Sequence, residues 1–253
     1  MIITVTNQKG GIGKTTVTQA LGYGLANRGY KTLLGDMDAQ SNLTLATDGD
    51  RTVKTSYELM TRKATAKEVI QPLAEHLDII AGSLDLSALD LELNEIGKEY
   101  RLKEALEPIK SEYDFIIIDT PPALNITTVN ALATADRVLI PAQADLFSLD
   151  AVRQLNAKTI QLIKRYANSN LKIDGLLLTR YNGRNILTKE ITEAFNDLAR
   201  ELNTKLYKAR IREAIAVKES QTARQDIFTY AGKSNVTNDF NEFIDEFIKG
   251  VKE

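Results

Sequence analysis

A chain of 253 residues with 43% hydrophobic content can bury the core of one large α/β domain or of two small ones. It has no cysteine, which excludes disulfides, thiolate metal sites and cysteine-ligated iron–sulfur clusters. The net charge of −2 conceals an asymmetry: residues Ala151 to Lys233 carry 16 Lys/Arg against 8 Asp/Glu, and the remainder carries 16 against 26.

No apolar run approaches the roughly 20 residues of a membrane span. The chain starts on an apolar strand, Ile2 to Thr6, with no room for a signal peptide, so a soluble cytoplasmic protein is expected. Directly after that strand comes Lys9-Gly10-Gly11-Ile12-Gly13-Lys14-Thr15-Thr16, followed by a helical stretch from Lys14 to Arg28. A glycine-rich turn between strand and helix aims bare N–H groups at a helix N-terminus and makes a phosphate cradle. Lys14 then adds a charge near the β/γ-phosphates, and the Thr15 hydroxyl suits Mg²⁺. The loop departs from the ordinary pattern, because the position for its first glycine holds Gln8 and a second lysine, Lys9, precedes the Gly10-Gly11 pair. One lysine suffices for the phosphates of its own site. Lys9 is either a solvated turn lysine or a residue with a target elsewhere.

The second predicted strand, Thr32 to Asp36, leads into Asp36-Met37-Asp38-Ala39-Gln40. In extended chain Asp36 and Asp38 project to one side. They read equally as a metal-and-water pair or as an Asx-rich turn. Ala46 to Lys67 is polar and irregular, with a short helix expected around Ser56 to Met60. Further strands are expected at Leu77–Ala81, Phe115–Asp119, Arg137–Pro141, Ile173–Thr179 and Leu206–Ile211. Helices are expected at Arg101–Ser111, Leu149–Tyr166 and Thr188–Glu201. Phe115-Ile-Ile-Ile-Asp119 ends at Thr120-Pro121-Pro122, so the chain leaves the sheet at once and Asp119 falls at the carboxyl edge, a place for Mg²⁺ support. Short, almost continuously apolar strands alternating with helices predict a doubly wound, mostly parallel sheet flanked by helices on both faces. With no linker or repeat, one domain over residues 1–253 is expected. The basic section fits a polyanion-binding face, or cations scattered over solvated helices.

Together these blocks resemble the deviant Walker A P-loop ATPases, specifically the ParA-type partition ATPases. The resemblance runs along nearly the whole chain, through Lys9–Thr16, Asp36-x-Asp38-x-Gln40, Ile-Ile-Ile-Asp119-x-Pro-Pro, Asn130-Ala-Leu-x-x-Ala-Asp136 and Ile140-Pro-x-Gln143. It implies an ATPase using ATP and Mg²⁺ that closes as a sandwich homodimer when ATP-bound. Lys9 matches the signature lysine that reaches the partner's phosphates. The loop from Lys9 to Thr16 matches the nucleotide site, Lys14 and Thr15 the phosphate lysine and magnesium ligand, Asp38 the water-associated carboxylate and Asp119 the Walker B position; Asp36, from spacing alone, is a candidate for the metal shell. The resemblance also implies DNA binding without sequence preference, nucleoid association and a centromere- or adaptor-binding ParB-like partner that stimulates hydrolysis. Arg184 falls where relatives carry a DNA-contacting arginine. Arg180, Lys208, Arg210, Arg212, Lys218 and Arg224 are candidates by charge and region only. The chain departs from the family where Ala39, Ser41, Arg212 and Gln221 replace Pro, Gly, Pro and Pro.

Two rivals share the fold. A MinD-like membrane-cycling ATPase needs a basic amphipathic C-terminal helix. Here Phe240, Phe243, Ile244, Phe247, Ile248 and Val251 form an apolar stripe whose polar neighbours, Asp239, Glu242, Asp245 and Glu246, are acidic, so packing on the domain and no membrane partner are expected. A ligase acting on a small carboxylic acid has no specific residue in its favour.

Overall fold

The computed structural model describes residues 1–183 and 185–252. Eight strands form one sheet: β1 (Ile2–Val5), β2 (Thr32–Asp36), β3 (Ile70–Ala74), β4 (Leu77–Ile80), β5 (Phe115–Asp119), β6 (Arg137–Gln143), β7 (Lys172–Tyr181) and β8 (Leu206–Arg212). Their order is β3-β4-β2-β5-β1-β6-β7-β8, and every pairing is parallel except β3 with β4. The continuous apolar runs follow from helices on both faces. In β5, Phe115 and Ile117 enter one core while Ile116 and Ile118 enter the opposite one. A third core joins β6 and β7 to the helices Leu146–Leu155 and Ile186–Glu201.

Most boundaries lie within a few residues of expectation; the differences have local causes. β3 was not expected, because Pro72 interrupts its run. Proline is tolerated on an edge strand, and β3 is an antiparallel, half-exposed edge. The helix expected over Arg101–Ser111 covers Arg101–Leu106, stops short of Pro108 and is followed by a 3₁₀ turn at Lys110–Glu112. The helix expected from Leu149 starts at Leu146, capped by Asp145, whose carboxylate accepts the Ser148 N–H at 2.8 Å, and passes through a π turn at Asn156–Ile160.

The C-terminal helix Asn235–Lys252 packs on the domain. Phe240, Phe243, Ile244 and Phe247 are fully buried against the P-loop helix Lys14–Ala26 and β8. Gly24 permits the approach, since a Cβ there would sit 2.1 Å from the Ile244 Cδ1. The acidic face closes the open edge of β8: Glu246 accepts the Lys208 N–H at 2.8 Å, and Asp239 accepts the Arg212 N–H at 3.0 Å. Among the described residues no helix is long and apolar enough to cross a membrane.

Candidate nucleotide site

Strand order reverses around β1, which lies between β5 and β6, and the glycine-rich loop leaves β1 at that point. The loop is tied down at both ends. Asn7 Nδ2 donates to the Pro141 carbonyl at 2.8 Å, and the Thr179 hydroxyl donates to the Ile12 carbonyl at 2.6 Å. Gly11 and Gly13 adopt φ of 72° and 89°, left-handed backbone that favours glycine. The result is a cleft of about 660 Å³ whose wall includes Gly10, Gly11, Gly13, Lys14, Thr15, Thr16 and Asp38. Ile12 is buried behind it and contributes a carbonyl to loop anchoring.

Lys14 Nζ donates to the Lys9 carbonyl at 3.3 Å. Burial lowers its pKa from the ordinary value, while the Asp119 and Asp38 charges oppose that shift. The sheet register places Asp36 opposite Asp119. Asp119 is fully buried and accepts the Thr15 hydroxyl at 2.7 Å and the Thr18 hydroxyl at 3.3 Å. Burial, with Asp36 alongside, pushes its carboxyl up to about 8. Asp36 is pushed up to about 6, chiefly by burial.

The two carboxylates of the second strand part company. β2 ends at Asp36, and the chain turns so that the Asp38 N–H bonds back to Asp36 Oδ1 at 3.1 Å. Asp36 also accepts the Thr44 N–H at 2.9 Å and hydroxyl at 2.7 Å, and it does not line the cleft. Asp36, expected in the metal shell, thus has both oxygens engaged by the turn; it lies opposite Asp119, which is likewise buried behind the cleft wall. Asp38 is the carboxylate on the cleft wall, held by the Gln40 N–H at 3.0 Å. Ser41 takes the left-handed φ of 52° that suits the glycine of relatives.

The donor set fits Mg²⁺. Thr15 and Asp119 are hard oxygen donors in contact beside the phosphate cradle, and no group of three or more His, Cys, Asp or Glu among the described residues forms a protein-only cage. Mg²⁺ is ordinarily held by one or two carboxylates with water and substrate phosphates. Without a cation the folded chain retains a proton on Asp119 that the unfolded chain releases near 3.8. The folded state then binds more protons, so this group's stabilisation is present below pH 4 and is lost as the pH rises towards about 8. The thermal midpoint in chelator should fall across that window, and Asp119→Asn should flatten the fall. An unchanged slope in Asp119→Asn would contradict the assignment.

Lys9 does not line its own cleft. Its ammonium lies 2.9 Å from Asp145 Oδ2, 3.0 Å from Asp145 Oδ1 and 3.0 Å from the Ser148 hydroxyl. Leu146 and Phe147, which follow Asp145 in the chain, are exposed.

A family profile described as an AAA domain matches residues 1–173. The sporulation initiation inhibitor protein Soj of Bacillus subtilis is 36% identical over 237 residues, 92% of each chain. The chromosome partitioning protein ParA of Caulobacter vibrioides is 34% identical, over 90% of this chain and 86% of its own. The chain belongs to the ParA/Soj family of ATPases. A solved structure of a Borrelia burgdorferi plasmid partition protein superposes with a TM-score of 0.77 at 25% identity, covering 98% of this chain and 97% of that one. A Mycobacterium smegmatis structure described as cobyrinic acid a,c-diamide synthase with bound ATP analogue and magnesium gives 0.85 at 26%, covering 100% and 96%.

The structure also explains blocks known only by resemblance to the family. Asn130 is a buried staple: its amide donates to the Lys98 and Ile126 carbonyls, and its oxygen accepts the Leu102 N–H. Gln143 ends β6 opposite Thr179. Sequence reading missed Asp145, Ser148 and Thr179; only the capping pattern Asp145-x-x-Ser148 offered a signal. Gln221, a departure from the family proline, donates to the Thr16 hydroxyl at 2.9 Å and lines the cleft.

The DNA candidates separate. Arg184 lies outside the described residues. Lys218 lines the nucleotide cleft rather than the second one, and Arg224 is paired with Asp48. Lys208, Arg210, Arg212 and Arg180 line a second cleft of about 730 Å³ together with Glu213, Asp239 and Glu242. Arg212 is held by Asp239 at 2.7 Å, and Arg210 is half-buried against the Tyr181 ring. The excess charge counted along the basic section is thus partly neutralised by the acidic C-terminal helix.

Proposed function

We propose that this chain is a partition ATPase in which Mg-ATP drives a face-to-face homodimer that binds DNA without sequence preference. Hydrolysis, stimulated by a ParB-like centromere- or adaptor-binding partner, releases the DNA. The observation that carries this reading is the split fate of the two loop lysines. Lys14 lines its own cleft, while the Lys9 ammonium is off that wall and paired with Asp145, the residue before exposed Leu146 and Phe147. A cation so placed, once it exchanges Asp145 and Ser148 for a stronger anion, reaches the phosphates of a second copy and neutralises charge developing in the transition state.

Within each cleft the loop N–H groups and Lys14 hold the phosphates, Thr15 and Asp119 hold Mg²⁺, and Asp38 orients the attacking water. Bound Mg²⁺ supplies charge neutralisation at the β- and γ-phosphates. Because that transition state is loose, Asp38 acts more through orientation than through proton abstraction. The apolar stripe of the C-terminal helix is spent inside the fold, which favours nucleoid DNA over a membrane as the surface engaged.

Fluorescence anisotropy with unrelated duplexes tests the reading. Binding should require Mg²⁺ and a non-hydrolysable ATP analogue, be alike for shuffled sequences and weaken steeply with salt, as counterion release requires. Equal affinity with ADP, or analogue-dependent sedimentation with liposomes instead of DNA binding, would overturn it.

A further inference from the structure

Two clefts open near the carboxyl end of β7, and among the described residues Arg180 is the one that lines both. A small cavity of about 80 Å³ is also lined by Arg180, with Gly13 and Thr16 from the loop side and Arg212 and Glu213 from the second cleft. Arg180 is therefore the septum between a phosphate site and a cationic surface.

Its backbone is unusual for that place. Arg180 has φ of 48°, a left-handed conformation that costs energy for a residue with a Cβ. The turn belongs to a β-bulge, since Leu178 pairs Arg210 and Tyr181 pairs Arg212, and it leaves the side chain exposed, with no ion-pair or hydrogen-bond partner for its guanidinium among the described residues. Its neighbours differ: Arg212 is held by Asp239, and Arg210 donates to the Ala209 carbonyl. Thr179, immediately before it, is locked by its hydroxyl to the Ile12 carbonyl at 2.6 Å and the Ala142 carbonyl at 3.2 Å. A hydrogen bond thus ties the phosphate loop to the residue that precedes Arg180.

We propose that Arg180 is a shared cation that couples the two clefts, its guanidinium bridging a nucleotide phosphate on one side and a nucleic-acid phosphodiester on the other. This rests on the DNA-binding reading above and names the residue through which nucleotide and DNA sense one another. A guanidinium presents five donors in a rigid fork, enough to serve two anions at once. Placed between them it screens their repulsion, and the first ligand to arrive orders the side chain for the second. The coupling is reciprocal: DNA raises nucleotide affinity by the factor by which nucleotide raises DNA affinity.

The test measures the affinity of a fluorescent non-hydrolysable ATP analogue, with Mg²⁺, in the absence and presence of saturating duplex DNA. The wild type should bind the analogue more tightly with DNA. Arg180→Ala should reduce that enhancement by about tenfold and, having lost a phosphate contact, should also weaken DNA-free affinity, by less than it weakens affinity with DNA present. Lys208, exposed in the second cleft alone, supplies the contrast: Lys208→Ala should weaken DNA binding and leave the enhancement at saturation intact. Arg180→Gly, which relieves the left-handed strain, should lose the enhancement with no fall in thermal midpoint, separating the effect from unfolding. Arg180→Lys, keeping charge without the fork, should be intermediate. If Arg180→Ala retains the full enhancement, the coupling role is overturned and the DNA reading stands. If the wild type itself shows no enhancement and no DNA binding, the DNA reading falls first.

Discussion

Asp38→Ala is expected to bind Mg-ATP with undiminished affinity and to hydrolyse it on the order of 10²- to 10⁴-fold more slowly, the range for loss of a positioned acid–base or water-orienting group. Both halves follow from the cleft. Asp38 is its carboxylate wall, yet the phosphates are held by loop N–H groups and Lys14, which the substitution leaves in place. Removing an anion near the phosphates also lowers repulsion. The variant should accumulate as an ATP-bound dimer on DNA. Phosphate release measured beside analogue binding checks this, and wild-type turnover in Asp38→Ala would remove the residue from the reaction.

Lys9→Ala should show a different split. Its ammonium is off the wall of its own cleft, so nucleotide affinity should stay within a few-fold of wild type. Turnover should fall by on the order of 10³-fold or more, as for a cation supplied in trans to a phosphoryl transition state. Folding should be little affected: the Lys9–Asp145 pair is about one-third exposed, and such pairs contribute roughly 0–1 kcal/mol. A Lys9→Ala variant that loses nucleotide binding instead would place the lysine in its own site.

Much of the architecture was legible because function and punctuation coincide in the chain. β1 runs into the glycine loop, and β5 ends in Asp119 before a Pro-Pro pair, so strand ends and site residues are marked together. Legibility failed where the deciding contact is distant or the backbone turns. Spacing put Asp36 and Asp38 on one side, but the strand stops at Asp36 and Thr44 draws that carboxylate inward. Lys9 meets Asp145 across 136 residues, a pairing no local pattern encodes. The basic section overstated its surface charge because Asp239, from a helix that looked acidic in isolation, folds onto Arg212.

If each subunit lends Lys9 to the other's reaction centre, two inactive variants should restore activity when mixed. Lys9→Ala and Asp38→Ala are combined as monomers before ATP and Mg²⁺ are added. A mixed dimer then holds one complete site, with Asp38 from one subunit and Lys9 from its partner. Random pairing predicts recovery of about a quarter of the wild-type rate, since half the dimers are mixed and each has one of two sites intact. A mixture as inactive as its parents would show that Lys9 acts within its own chain or not at all, and the exchange of lysines between subunits would be ruled out.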